Sequence, residues 1–415
     1  MITILYLSNA GGVTNGAGQS LIDLIESVKE EVKPIVFVSD KGDVYDYFIE
    51  HGIECYVCPS STVFGQPRGW HHYLSHPWHL RLFRDFRLTR RMIKKVKKGL
   101  SVSHIDLIHT NTSTICSGYY LSRRLRIKHI WHIREFLNVG VHIQGELSYG
   151  LPHIKQMMND ADARVLVSNP CYQHWDLKKE NSWIIWDAVR SVNDCCFEKV
   201  KQPYILFCSQ WVTEGKGISK TITAYGMSKL FNSSNRIRLK IVGFCDEEYE
   251  KELKAIADCY GCSEYIDFIP AQKDIKLFFS QAMAYINSSV NEGMGRTTAE
   301  AMFYGCPVIA YASGGTLDLV KDGETGYLFN TVEECAELMR KVCTTNQEDI
   351  ILRAQEFAKQ NLSIENYGSK IMEVYNSVLE TKRRFTITES LNLTQIDGFR
   401  AGSIDYGIFK GLIGC

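Results

Sequence analysis

The chain has 415 residues, 45% of them hydrophobic and 23% charged, with 47 lysines and arginines against 47 aspartates and glutamates. That length suggests two or three domains with a full apolar core, and the balanced charge gives no support to a nucleic-acid partner. No stretch approaches the ~18–20 uninterrupted apolar residues of a membrane span. The opening "MITILYLSNAGG" is too short for a signal peptide and lacks its basic leader, so the expected location is the cytoplasm.

Short apolar runs alternate with amphipathic patterns, the signature of a parallel sheet covered by helices. "ITILYLS" predicts a first strand, and a glycine-rich turn follows it. "GQSLIDLIESVKE" then predicts a helix with Leu21, Leu24, Ile25 and Val28 on one face. "KPIVFVS", "IECYVC", "IDLIHT", "KHIWHI", "ARVLVS" and "SWIIW" continue the strands to about residue 187.

Between the third and fourth of these runs lies "RLFRDFRLTRRMIKKVKKG", residues 81–99. It sets Arg81, Arg84, Arg87, Arg90, Arg91, Lys94, Lys95, Lys97 and Lys98 against one acid, Asp85. Leu82, Phe83, Phe86, Met92, Ile93 and Val96 recur near helical spacing, which makes the segment a basic amphipathic helix. Upstream, Trp70, Tyr73 and Trp78 are residue types suited to a membrane interface. Two readings stay open. Either the helix packs on its own sheet with a solvated basic face, or residues 81–98 dock on an anionic inner leaflet and the protein is peripheral to the cell membrane.

The pattern restarts at "KVKQPYILFCS", after the polar "DAVRSVNDCCFEK", and continues through "RLKIVG", "YIDFI", "AMAYINS" and "CPVIAYA". Two doubly wound units joined near 188–200 are the economical reading. The expected division is 1–190, 191–365, and a helix and tail over 366–415. Residues 348–380 read as two successive helices, and 385–415 carry little periodicity. Fourteen cysteines include two CxxC pairs, Cys55/Cys58 and Cys259/Cys262. The pairs lie far outside the ~12–20 residue spacing of a zinc ribbon, so reduced thiols are expected.

The densest signal is "NEGMGRTTAEAMFYGCPVIAYASGG", residues 291–315. Gly293 and Gly295 fit a turn, and "TTAEAMFYG" fits a helix that starts around Arg296–Thr298 and is closed by Gly305. Glu292 then lies in the loop at a strand's carboxyl edge, and Glu300 about one turn into the helix, toward the crevice where open α/β sheets bind ligands. The helix amino terminus, with Gly293, Met294, Gly295, Arg296 and Thr297, offers N–H groups suited to a diphosphate. Glu300 can accept hydrogen bonds from ribose hydroxyls, and Glu292 can meet those of a second sugar. Anion in the middle and polyols at both ends describe a nucleotide-sugar. Spacing alone is weak, because a glutamate in a first turn also complements the helix dipole.

The longer stretch "EGMGRTTAEAMFYGCPVIAYASGGTLDLVKDGETGYLF" resembles the E-x7-E segment of the family 4 glycosyltransferases, with Asp318 replacing the glutamate usually found after the paired glycines. The resemblance covers roughly 1–375. It implies a GT-B fold: α/β, with two Rossmann-like doubly wound domains facing a central cleft and a C-terminal helix returning toward the N-terminal domain. It also implies retaining transfer from a UDP- or GDP-linked sugar to an acceptor hydroxyl of a glycan or lipid-linked glycan of a cell-surface polysaccharide. "NAGGVTNGAGQSLIDL" looks like the family's first glycine-rich loop, which brings Gly16 and Gly18 toward the donor phosphate. "IWHIREF" resembles the segment that places a histidine, here His132, at a strand end facing the cleft.

"SQWVTEGKGI" resembles the "GR----KG" loop that clamps the diphosphate. Lys216 fits, Gln210 stands where the arginine is expected, and Arg296 could supply the missing charge. In the implied mechanism Lys216 and the amides around Gly295–Thr297 stabilise the leaving phosphate, so that neither a metal nor a cofactor is expected. Glu292 would orient the donor sugar, with His132 near its hydroxyls or the acceptor. Asp160 and Asp162 match a DxD metal anchor formally, but fall before a strand that this architecture places away from the cleft, and read as a solvated turn. The rival readings are a sugar-nucleotide epimerase of the same fold and a non-catalytic sugar-nucleotide-binding partner subunit.

Overall fold

Apolar runs that are continuous rather than alternating form strands buried on both faces of a parallel sheet. In the computed structural model, which describes residues 1–9, 16–63, 78–100, 104–136 and 150–381, thirteen strands form two sheets. The first has the order β3-β2-β1-β4-β5-β6-β7. Its strands are β1 (Ile2–Ser8), β2 (Val32–Val38), β3 (Glu54–Val57), β4 (Leu107–Thr110), β5 (Lys128–Ile133), β6 (Ala163–Leu166) and β7 (Ser182–Ile184). The second has the order β10-β9-β8-β11-β12-β13, with β8 (Tyr204–Trp211), β9 (Arg238–Phe244), β10 (Ile266–Ile269), β11 (Ala284–Asn287), β12 (Val308–Tyr311) and β13 (Tyr327–Phe329). Every pairing is parallel. β13 is the strand that the apolar pattern did not announce.

Each sheet sets its first strand beside its fourth, β1 beside β4 and β8 beside β11. Each therefore has its topological switch point there, and a ligand crevice outside the carboxyl ends of those strands.

Met1–Val378 form one compact unit that holds both sheets. Leu379–Cys415 form another, described only as far as Thr381, so the tail 385–415 lies outside the described residues. The helix Gly16–Val28 buries Leu21, Leu24, Ile25 and Val28, as its spacing predicts. The helix Ile364–Glu380 returns to the first sheet. There Tyr375 bonds Tyr6 at 3.1 Å (hydroxyl to hydroxyl) and His109 Nδ1 at 2.9 Å.

The basic segment is the helix Trp78–Gly99. Met92, Ile93 and Val96 pack into the first sheet's core with Leu5, Ile35, Phe37 and Ile108, while Arg87, Arg90, Arg91, Lys94 and Lys97 are exposed. Lys95 instead lies over the Tyr56 ring, 3.6 Å from its centroid, and the lone acid Asp85 is buried. Trp70, Tyr73 and the side chains of 78–84 and 98–99 lie outside the described residues. Among the described residues no helix is long and apolar enough to cross a membrane.

Asp160 caps the helix Leu151–Asn159 and pairs with Arg123 at 2.9 Å. Asp162 accepts from the His129 amide at 2.8 Å. Both stand at the amino end of β6, on the edge opposite the crevice. The described cysteines are free thiols, and burial pushes Cys55 up to about 12 and Cys58 to about 11.

Candidate functional site

At the carboxyl end of β8 the chain makes the short turn Glu214–Lys216 and passes through Gly217 in the left-handed region, φ 70°. A Cβ at Gly217 would run into the Ser288 carbonyl just beyond β11, so only glycine lets the two strand ends approach this closely. The approach brings Lys216 Nζ to 2.5 Å from Glu292 Oε1. Two residues taken from separate motifs thus meet at the switch point of the second sheet, and both side chains keep part of their surface in water (26% and 16%).

The helix that follows is Arg296–Phe303, preceded by Gly295 at φ 95° with no side chain capping its first amides. Those amides have no intrahelical acceptor and a positive dipole end behind them, the requirement for holding an anion. The start of the helix is fixed from below: Tyr285 donates to Thr297 Oγ1 at 2.8 Å, and Asn287 Nδ2 donates to Thr298 Oγ1 at 2.9 Å. Glu300, one turn in, is buried and accepts from Arg190 Nη2 at 2.6 Å. Burial pushes its carboxyl above the usual carboxylate range, against the pull of Arg190 and Arg296.

Arg296, considered for the charge missing at Gln210, turns toward the first helix. It donates to Asp23 Oδ2 at 2.6 Å, the Ala188 carbonyl at 2.8 Å and Ser20 Oγ at 3.1 Å.

The loop carrying Glu292 is also pressed against the first sheet. Ser168 Oγ donates to the Gly293 carbonyl at 2.6 Å, and the Asp187 amide reaches Met294 Sδ at 3.0 Å. A Cβ at Gly293 would run into the Arg134 carbonyl. Asp318, the departure from the family frame, accepts from the Asn169 amide at 2.7 Å and from Trp186 Nε1 at 3.0 Å.

His132 stands at the carboxyl end of β5, as expected, but its ring is fully buried, and the expectation of a cleft-facing imidazole is corrected accordingly. Nδ1 lies 3.3 Å from His109 Nε2 and 3.2 Å from Arg134 Nη2. Nε2 lies 3.7 Å from Asp187 Oδ1 and has no hydrogen-bond partner among the described residues. Burial, and then the Arg134 charge, hold both imidazoles well below their ordinary value, so both rings are neutral. Arg134 pairs in turn with Asp187, which also accepts from Ser20 Oγ at 3.0 Å and Tyr367 at 3.4 Å. Gly16 and Gly18 open the first helix, and residues 10–15 of the glycine-rich loop lie outside the described residues.

Sequence reasoning missed Arg190, Asp23, Asp187 and Arg134, because their partners are remote in the chain and no local motif contains them. It also passed over Trp211 and Phe244, whose rings meet at 4.7 Å while both stay more than half exposed at the carboxyl ends of β8 and β9. A large aromatic at a strand's carboxyl end and five residues before Lys216 was a signal that could have been read.

Comparison with known proteins bears on this site. Residues 197–360 match the family of glycosyl transferases group 1. A Haemophilus influenzae protein described as an uncharacterized glycosyltransferase is 31% identical over 145 residues, 34% of this chain and 39% of that one. The lipopolysaccharide core biosynthesis mannosyltransferase LpcC of Rhizobium leguminosarum is 30% identical over 155 residues, 36% of this chain and 42% of its own. The match thus spans about two fifths of the length of these curated relatives. Among solved structures, Anabaena HepE in complex with UDP and glucose superposes with a TM-score of 0.73 at 20% identity, over 91% of this chain and 100% of that one. Sucrose-phosphate synthase from Thermosynechococcus elongatus does so with 0.66 at 17% identity, over 91% and 99%. The chain has the GT-B fold of these structures, and its second sheet with the helices around it is the part that matches the group 1 glycosyltransferases.

Proposed function

We propose that the chain is a retaining glycosyltransferase that moves a sugar from a UDP- or GDP-linked donor to an acceptor hydroxyl of a glycan or lipid-linked glycan, without a metal ion. The observation that carries this reading is the Lys216–Glu292 pair beside the uncapped amino end of the helix Arg296–Phe303. The donor diphosphate lies against those amides and Lys216. The bond between the sugar's anomeric carbon and the phosphate oxygen breaks, and charge grows on the leaving phosphate where Lys216 and the amides of Gly295–Thr297 meet it. The acceptor oxygen bonds the anomeric carbon from the same face, and its proton passes to the leaving phosphate. Glu292 orients the donor sugar and Glu300 holds the ribose. HepE was solved with UDP-glucose, and LpcC is named a mannosyltransferase of lipopolysaccharide core, which support a nucleotide-sugar donor and a surface-glycan acceptor.

The exposed cations of the helix Trp78–Gly99 support docking on an anionic membrane face, each contributing about 1 kcal/mol near the surface. Cosedimentation with anionic vesicles at low salt, lost on reversing Arg90, Arg91, Lys94 and Lys97 to glutamate, is expected. Equal binding to neutral vesicles would remove the membrane from the proposal.

The reaction is tested by offering the protein panels of UDP- and GDP-sugars with oligosaccharide and lipid-linked acceptors in the presence of EDTA. Acceptor-dependent nucleotide release, with the donor's anomeric configuration kept in the product by NMR, is expected. Isomerised donor without acceptor would make the protein an epimerase. Nucleotide binding without any turnover would make it a binding subunit.

A further inference from the structure

Glu300 is half satisfied. Oε1 takes the bond from Arg190, and among the described residues no donor reaches Oε2. The side chain keeps 10% of its surface exposed, which leaves Oε2 open to a ligand. All three guanidinium nitrogens of Arg190 are fixed: Nη2 on Glu300, Nε on the Tyr304 hydroxyl at 2.6 Å, and Nη1 on the Val189 carbonyl at 2.8 Å. Its backbone is held as well, because the Ile364 amide donates to the Arg190 carbonyl at 3.1 Å and the Val189 amide donates to the Leu362 carbonyl at 2.9 Å. Arg190 belongs to neither sheet. It stands in the connection between β7 and β8, pinned to the junction of the last two helices, and reaches into the helix that opens on the phosphate site.

We infer that Arg190 is a positioning residue of the donor site: it fixes the Glu300 carboxylate in its charged form, with Oε2 turned out for the hydroxyls of the donor's ribose. The inference rests on Glu300 as the ribose acceptor, the role proposed above. Ionised carboxylates accept hydrogen bonds about twice as strongly as neutral acceptors, so the charge on Glu300 matters to a diol that can only donate to it. The groups facing Glu300 are Arg190 and Tyr304, Arg296 on its own helix, Asp23 from the first helix, Cys208 of β8 and Tyr285 of β11. Arg296 is already ion-paired with Asp23, so Arg190 supplies the cation that is hydrogen-bonded to Glu300 among the described residues. Without it, the pull that opposes burial weakens and the carboxyl rises further above the usual carboxylate range.

The test measures binding of UDP or GDP, whichever the wild-type full-length protein binds, by titration calorimetry from pH 6 to 9. Arg190→Gln is expected to lower affinity about tenfold at pH 7 relative to wild type, with the deficit shrinking as pH rises and Glu300 ionises. Arg190→Lys keeps the charge and is expected to stay within about threefold of wild type throughout. In Arg190→Gln/Glu300→Gln the pH-dependent part of the deficit disappears. Should Arg190→Gln not fold, Tyr304→Phe loosens the guanidinium and is expected to lower affinity about threefold. Affinity unchanged or raised in Arg190→Gln, a deficit constant with pH, or an unchanged Tyr304→Phe overturns the inference. If Glu300→Gln alone leaves affinity intact, the ribose role of Glu300 has failed instead. No binding of either nucleotide by wild type overturns both.

Discussion

The two sheets share a strand order around their switch points, yet their carboxyl edges use polar residues in opposite ways. At the first sheet, His109, His132, Arg134, Asp187, Tyr367 and Tyr375 are buried and bonded mainly to one another. At the second, Lys216 and Glu292 pair with part of their surface in water, Glu300 has an oxygen to spare, and the helix behind them has uncapped amides. Groups buried against each other fix geometry, whereas groups that reach water with hydrogen-bonding capacity to spare are the ones that can bind. On the proposed function, the first edge is the scaffold of the cleft and the second its chemical side.

Disrupting the scaffold side is expected to cost the most. Asp187→Ala leaves Arg134 charged and buried without its partner, and losing one member of such a pair typically costs about 3–5 kcal/mol of stability, readable by urea unfolding. A loss below about 1 kcal/mol would place Asp187 in water and dissolve the contrast between the edges. On the chemical side, Lys216→Ala is expected to lower turnover on the order of a hundredfold with stability nearly unchanged. Near-normal turnover in steady-state assays would reduce Lys216 to a surface cation.

The contrast also explains what could be read in advance. Lys216, Glu292 and Glu300 could be named as candidates because each lies in a short strand–turn–helix motif whose glycines and spacing are local. Every strand but β13 was legible for the same reason, since apolar runs mark the strands one by one. The Arg134–Asp187 pair and the Arg190–Glu300 pair join residues 53 and 110 positions apart, and neither has a pattern in the chain. His132 was found by resemblance, but its burial depends on Tyr375, His109 and Asp187, which only the tertiary structure brings together.

Glu300→Ala is expected to weaken nucleoside diphosphate binding by about one to two decades while slowing the chemical step less, because a charged hydrogen bond is worth roughly 1.5–3 kcal/mol and the ribose is remote from the breaking bond. Single-turnover rates at saturating donor separate the two effects, and an equal fall in both would move Glu300 to the reacting end.

The smallest effect is a pH slope. His109 and His132 stay neutral in the folded protein while the unfolded chain takes up protons below about pH 6.5, so stability falls on acidification, by about 1.4 kcal/mol per pH unit for each ring. His132→Gln is expected to remove one ring's share of the slope between pH 6.5 and 5. An unchanged slope would mean that His132 is accessible to protons in the folded state, as a cleft-facing ring would be.

The most direct measurement is a crystal structure of the protein with the nucleoside diphosphate it binds. The diphosphate is expected against the amides of Gly295–Thr297 and Lys216, with the ribose hydroxyls on Glu300 Oε2 and the His132 cluster still closed. A nucleotide bound instead at the carboxyl edge of the first sheet, with His132 opened toward it, would contradict the division of roles between the two edges.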